Sequence, residues 1–320
     1  MPFRNFLISQ NKTRIAILAL IFANIIWGAS FPIYKLSLSE VPPFTFVFLR
    51  FFLAAIIIFP FVYKDLKVER SDVRNLIIRS FIGITLSISF LVLGLKLSSS
   101  INAPIIISSQ PIVIIIGAYF FLKEKMKRKV VIGTVISLLG VLVVVLLPLF
   151  QKGLDGSITG NLFFVLASIC GAIDVLLLKK LLTKYKTLTI TFWSFLIGTI
   201  PLLPLFYVEL NQTYWTSHIG LFAIFGIIFS VVLATAIGHT IYNYGLKNIQ
   251  ASEVGIFTYV DPVATAIVAI PLLHEVITAP YLVGAMLVFW GIFIAEGRIH
   301  YHPFHLLRKG ALDKLPEITE

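Results

Sequence analysis

Apolar residues in this chain gather into long runs instead of alternating or striped segments. Ten such runs can be drawn, at residues 15–36, 43–63, 76–97, 99–122, 130–149, 157–178, 188–207, 217–246, 250–273 and 280–297. Most are roughly 20 residues long, the length at which a helix crosses about 30 Å of hydrocarbon. Each run predicts a membrane-spanning helix, and the links between them are too short for a soluble domain. The first run continues through Ile26-Trp27-Gly28 into Phe31 without a small-x-small cleavage site, so it reads as a helix and not as a removed signal.

The pattern occurs twice. Residues 94–144 fall on 245–295 at a constant offset of 151, pairing Gly94 with Gly245, Lys96 with Lys247, Pro111 with Pro262, Glu124 with Glu275, Gly133 with Gly284 and Gly140 with Gly291. Upstream the offset is 144, pairing Lys35 with Lys179, Thr45 with Thr189, Pro60 with Pro204 and Tyr63 with Tyr207. An internal repeat of this length in so apolar a chain points to a transporter built from two related halves. The expected organisation is a tail at 1–14, a five-helix repeat at 15–149, a second at 157–297 and a tail at 298–320. Five is odd, so the second repeat enters the membrane upside down. The expected fold is thus an all-α membrane protein of ten transmembrane helices in two inverted repeats.

Composition agrees. The chain is 58% hydrophobic and 13% charged, against about 25% charged in a soluble protein. The net charge of +11 does not argue for nucleic acid, because the basic residues lie between apolar runs and line no single face. Of the 26 basic residues, 21 fall on the side that holds both termini. The positive-inside rule makes that side cytoplasmic, in what is expected to be the plasma membrane. The single cysteine, Cys170, excludes an intramolecular disulfide and a CxxC metal knuckle. It reads as a small packing residue.

With these residues in hand, the chain resembles the drug/metabolite transporter superfamily, and within it the ten-helix EamA-type permeases. The resemblance rests on Trp27-Gly28-Ala29-Ser30-Phe31, on Leu49-Arg50-Phe51-Phe52-Leu53-Ala54-Ala55, and on two copies of a Pro…Glu…Gly…Gly pattern at 111, 124, 133, 140 and at 262, 275, 284, 291. It implies a secondary transporter, in most members an exporter of amino acids or related metabolites.

Polar residues inside the runs are the candidates for chemistry, since an ionisable group at membrane depth is costly and should face the bundle interior. Asp261 precedes Pro262 at mid-span, and its repeat mate Gln110 precedes Pro111. Proline removes a backbone donor, so both spans should be interrupted there. Asp261 reads as a cavity or proton-coupling residue or as a structural hydrogen-bond hub. His239 shares a polar stripe with Thr235, Tyr242 and Asn243 and is a second proton-coupling candidate, with helix packing as the alternative. Asp174, whose mate is Ser30, reads as an acid paired with Lys179 or as a cavity residue. Trp27 either walls the cavity or packs. Asn24 and Tyr259 complete the candidate substrate-binding set. Arg50 suggests a structural role, with direct anion binding as the alternative. Glu124 and Glu275 should bind neighbouring helix ends.

The polar residues place the cavity among the first, third, fourth, sixth, eighth and ninth spans. The second, fifth, seventh and tenth, almost wholly apolar apart from Arg50, should face lipid or each other. The expected partners are a small-molecule substrate, the bilayer and, for a proton-coupled cycle, protons. No metal or cofactor site is expected, since there is no HxxxH or His/Cys cluster. No GxxxxGK[ST] motif supports ATP-driven transport. An intramembrane enzyme would need a catalytic pair at one depth, whereas Asp174 and Asp261 read at different depths. A channel would need rings of charge or carbonyls. The leading alternative substrates are nucleotide-, purine- or sugar-like solutes.

Topology is directly testable. In a Cys170→Ala background, cysteines placed at Met126 and Lys184 should be labelled from the cytoplasm, and those at Asp155 and Gln212 from outside. One position labelled from the wrong face breaks the assignment.

Overall fold

The computed structural model describes residues 2–114, 128–152, 156–212, 219–249 and 254–296, and among them every regular element is helical. In chain order these are α1 (Pro2–Ser37), α2 (Pro43–Val62), α3 (Arg70–Leu97), α4 (Asn102–Ile114), α5 (Arg128–Lys152), α6 (Gly156–Lys184), α7 (Thr187–Asn211), α8 (Leu221–Asn248), α9 (Phe257–Leu273) and α10 (Ala279–Glu296). Helices α1, α2, α3, α6, α7 and α8 are long and apolar enough to cross a membrane, and α4, α5, α9 and α10 carry shorter apolar stretches. Lipid offers no partner to a backbone N–H or C=O, so helices, which satisfy these groups internally, are the natural outcome of such runs. The chain is an all-α membrane protein.

Its surface is inverted relative to a soluble protein. Leu221, Phe222, Phe61, Ile267 and Trp290 are exposed, while Asn24, Arg50, Arg79, Thr235, Asn243 and Asp261 are buried. This arrangement suits a lipid surround and would be a liability in water.

The two repeats pack by a strict exchange. Helix α1 packs on α8 and α9, and its counterpart α6 packs on α3 and α4; α2 packs on its own counterpart α7, and α5 on α10. Individual contacts obey the same rule. Gly94 admits Phe164 from α6, and Gly245 admits Leu20 from α1, the same pair one repeat on. Between α5 and α10, Gly140 meets Gly284 while Gly291 meets Gly133. The Ser137 hydroxyl donates to the carbonyl of Val288, its own repeat mate, at 2.9 Å. Rising numbers on one helix thus meet falling numbers on the other, so equivalent helices run antiparallel. One repeat is therefore inverted relative to the other. The glycines let these backbones touch, because a Cβ at Gly140 would fall 2.6 Å from the carbonyl of Gly284.

Local irregularities are also duplicated. A π turn at Phe81–Leu86 interrupts α3, and another at Ser230–Ile237 interrupts α8; an offset of 151 carries the first into the second. The proline-linked breaks recur too. In α4 the helix pauses at Ser108–Ser109 before Gln110-Pro111. At the start of α9 the run Gly255–Tyr259, which begins just ahead of it, is 3₁₀, and the α-helix starts at Val260 just ahead of Asp261-Pro262. Pro262 thereby occupies a first helical turn, where its missing N–H costs little.

Helix α9 ends at His274, whose φ of 53° is a left-handed cap that turns the chain back and presents Glu275. The Glu275 carboxylate accepts from Lys35 Nζ (2.9 Å), Ser99 Oγ (2.8 Å), Ser100 N (2.9 Å), Ser100 Oγ (2.8 Å) and Ile101 N (3.1 Å). It thus ties α1 and the start of α4 to the α9–α10 turn. Lys35 also donates to the Ser98 carbonyl at 2.7 Å, and its mate Lys179 donates to the Ile249 carbonyl at 2.6 Å, again the same contact one repeat on. Glu124, the mate of Glu275, lies outside the described residues.

Partial burial alone would push the Glu275 carboxyl up, but the Ser100 N–H and the Lys35 ammonium outweigh it and hold the group below its ordinary value of 4.5. A carboxyl depressed in the folded state stabilises above its ordinary value, and that contribution is lost as pH falls through the depressed one. Glu275→Gln should therefore lower stability by about 1–3 kcal/mol at neutral pH. In thermal melts of the purified protein, the gap to the parent chain should close below about pH 4.5. A gap that persists at low pH would contradict this account.

Candidate functional site: a polar cavity between the repeats

Inside the bundle lies a cavity of about 150 Å³, the size that holds a benzene-sized molecule elsewhere. Its walls come from α1, α3, α4, α6, α8 and α9, with Arg50 entering from α2. Trp27, Ser30, Gln110 and Asp174 reach it, as do His239, Tyr242, Asn243 and Asp261. The cavity forms where glycines let helices close on each other. A Cβ at Gly28 would sit 2.6 Å from the Asp261 carbonyl, and one at Gly171 would sit 3.0 Å from Gln110 Nε2. The Thr265 hydroxyl, 2.8 Å from the Gly28 carbonyl, adds a hydrogen bond between α9 and α1.

One wall is organised by the α8 π turn. Such turns release backbone groups and often sit at functional sites. Here the Ala234 carbonyl accepts from Trp27 Nε1 at 2.9 Å and lies 3.1 Å from His239 Nδ1. A carbonyl only accepts, so the second contact needs a proton on Nδ1, and in the neutral imidazole Nε2 is then the acceptor. The imidazole is boxed edge-on by Trp27, Phe51 and Phe195, with ring centroids at 5.0, 5.6 and 5.4 Å. Trp27 also leans on Tyr242 at 4.8 Å.

Four charged residues line the space, and they are unequally matched. Asp174 pairs with Arg79: Arg79 Nη2 donates to Oδ2 at 3.0 Å, and Nε lies 2.6 Å from Oδ1 without hydrogen-bond alignment. Gly83, in the α3 π turn, makes room, because a Cβ there would fall on the Asp174 carboxylate. The expected Asp174–Lys179 pair does not form. Residues five apart on a helix point to different faces, and Lys179 caps the carbonyls of Leu246 and Ile249 instead.

Arg50 is only 2% exposed, yet none of the four ion pairs among the described residues involves it. Its Nε donates to Thr235 Oγ1, and its guanidinium lies over Tyr34 at 4.7 Å and near Phe51 at 5.0 Å. Its Nη1 has no partner. Cation–π contacts supply about 2 kcal/mol when desolvated, against several kcal/mol for burying an ion, so these contacts do not compensate the charge. Asp261 is 4% exposed, and its Oδ1 has no partner. It stands in the first turn of the Val260–Leu273 helix, where the helix dipole favours a carboxylate.

Two expected cavity residues lie elsewhere. Asn24 is fully buried within the packing of α1 and donates back to the Leu20 carbonyl at 2.7 Å, the i−4 route open to short polar side chains in helices. Tyr259, in the 3₁₀ run ahead of Asp261, packs its ring edge-on against Phe289 of α10, centroids 5.5 Å apart. The sequence reading left Arg79 out of the site and Arg50 at its margin. Their membrane depth was the available signal. Among the described residues no cluster of three metal-ligating side chains occurs.

An all-α bundle of two inverted repeats around one buried polar cavity is a transporter architecture. The chain belongs to the EamA-like transporter family, which matches it twice, at residues 14–146 and 158–296. It is similar to an uncharacterized transporter of Archaeoglobus fulgidus, 24% identical over 88% of this chain and 98% of that one. It is also similar to the uncharacterized transporter YetK of Bacillus subtilis, 26% identical over 87% and 86% of the respective chains. A crystal structure 16% identical in sequence superposes with a TM-score of 0.63 over 91% of this chain and 98% of that one, a likeness of fold. The family match and the named relatives indicate a membrane transporter rather than an enzyme.

The Arg79–Asp174 pair gives a stability prediction. Asp174→Leu leaves the buried Arg79 charge uncompensated and should cost about 3–5 kcal/mol, whereas Arg79→Met with Asp174→Leu should recover most of the loss. Chemical denaturation of the parent, Asp174→Leu, Arg79→Met and the double variant would check it, and additive losses in the double variant would refute the pairing.

Proposed function

We propose that this protein is a secondary active transporter of the plasma membrane, with both termini cytoplasmic. It exports or exchanges amino acids or related small metabolites by alternating access through the central cavity. The observation that carries the reading is the gathering of polar side chains from both repeats into one cavity inside an otherwise apolar bundle. The inverted repeat supports alternating access, because two halves of opposite orientation can exchange conformations and so open the same site to either side. The cytoplasmic placement of the termini rests on the distribution of basic residues. Energy comes from a gradient, since the chain carries no nucleotide-binding loop motif.

Proton coupling requires one group that gains and loses a proton between the two states. Asp261 is the first candidate and His239 the second: both line the cavity, and neither has an ion-pair partner among the described residues. Asp261→Asn should leave the protein folded and able to exchange substrate down its gradient, yet abolish pH-driven accumulation. The measurement is uptake into proteoliposomes with and without an imposed pH gradient. Undiminished accumulation by the Asn variant would make Asp261 a structural hydrogen-bond hub and pass the role to His239, tested in turn by His239→Gln.

A further inference from the structure

Within the cavity the two arginines differ in a way that bears on what the cavity takes. Arg79 has its counter-ion on the neighbouring helix, in Asp174. Arg50 has none among the described residues, although its side chain is almost wholly buried. One side of its guanidinium is committed, with Nε to Thr235 and the plane against Tyr34 and Phe51. These contacts fix the group in place and leave Nη1 unpartnered. A buried cation that the protein does not neutralise is costly, and an anion is the partner that would relieve it. A guanidinium edge is also the shape that receives a carboxylate through two parallel hydrogen bonds.

We propose that the transported solute carries a carboxylate and that Arg50 is its anchor, a specificity-determining residue of the cavity. The proposal rests on the transporter reading above and narrows its substrate class to small carboxylic acids, amino acids included. A sugar or a purine base would leave the Arg50 charge as uncompensated as it is in the empty cavity. Arg50 matches an equivalent position occupied by Ser194 in the second repeat, so the site is single and the solute enters in one orientation.

The test uses the full-length protein in proteoliposomes preloaded with a mixture of neutral amino acids and short hydroxy acids. Exchange is competed from outside with each free acid, its methyl ester and its primary amide, and separately with inorganic phosphate, purines and sugars. The free acids should compete at least about tenfold more strongly than their esters and amides. Arg50→Lys, which keeps the charge and loses the fork, should retain the preference for acids at weaker overall affinity. Arg50→Gln should erase the preference while still responding to the esters, an effect that general loosening of the fold would not produce.

Esters that compete as well as the acids in the parent chain overturn the proposal, and this comparison needs no variant. So does a preference for acids that survives in Arg50→Gln. If liposomes loaded with purines, sugars or phosphate exchange those solutes while acids neither exchange nor compete, the carboxylate assignment falls and the transporter reading stands. If no solute from any of these classes exchanges, both fall.

Discussion

Hydrocarbon solvates neither a peptide group nor a charge, and the architecture follows from that one constraint. Backbone groups are satisfied within helices. Side chains that carry charge or hydrogen-bonding capacity must find partners in protein or in an internal cavity. With the outside of the bundle apolar, the hydrophobic effect no longer distinguishes one helix contact from another, since lipid tails are as apolar as leucine. Close backbone approach and interhelical hydrogen bonds then decide which helices meet. The seam of Gly140 with Gly284 and Gly291 with Gly133, pinned by the Ser137–Val288 hydrogen bond, is the clearest case. The Gly28–Asp261 contact with the Thr265 bond is another, and it sets one wall of the cavity.

Features that depend on spacing along the chain were legible in the sequence. The 151-residue offset made α5 and α10 equivalent, and the prolines at 111 and 262 foretold the breaks in α4 and α9. The cavity-lining helices were legible for a related reason: a polar residue in a membrane span must face inward, so the distribution of such residues maps the interior. Features that depend on a partner from a distant helix were not. Asp174 has a lysine five residues on in its own helix, and the local reading paired the two. The actual partner, Arg79, lies 95 positions away, and Gly83 of the α3 π turn leaves room for the carboxylate beside it. Asn24 misled in the opposite sense, since a short polar side chain can turn its amide N–H back onto its own helix instead of into a cavity.

The duplication also separates scaffold from chemistry. Contacts that hold the bundle together recur one repeat on: Lys35 with the Ser98 carbonyl and Lys179 with that of Ile249, or Gly94 with Phe164 and Gly245 with Leu20. The chemically distinctive residues of the cavity have no such echo. Asp261 answers to Gln110, Asp174 to Ser30, His239 to Ile88, Arg79 to Ser230, Arg50 to Ser194 and Trp27 to Gly171. Under the alternating-access mechanism proposed above, keeping the halves alike would make the two states comparable in energy. A binding site gains nothing from symmetry when its ligand has none. The copies differ at each of these cavity positions, and under the transporter reading proposed above these asymmetric positions are the ones through which a solute would be recognised.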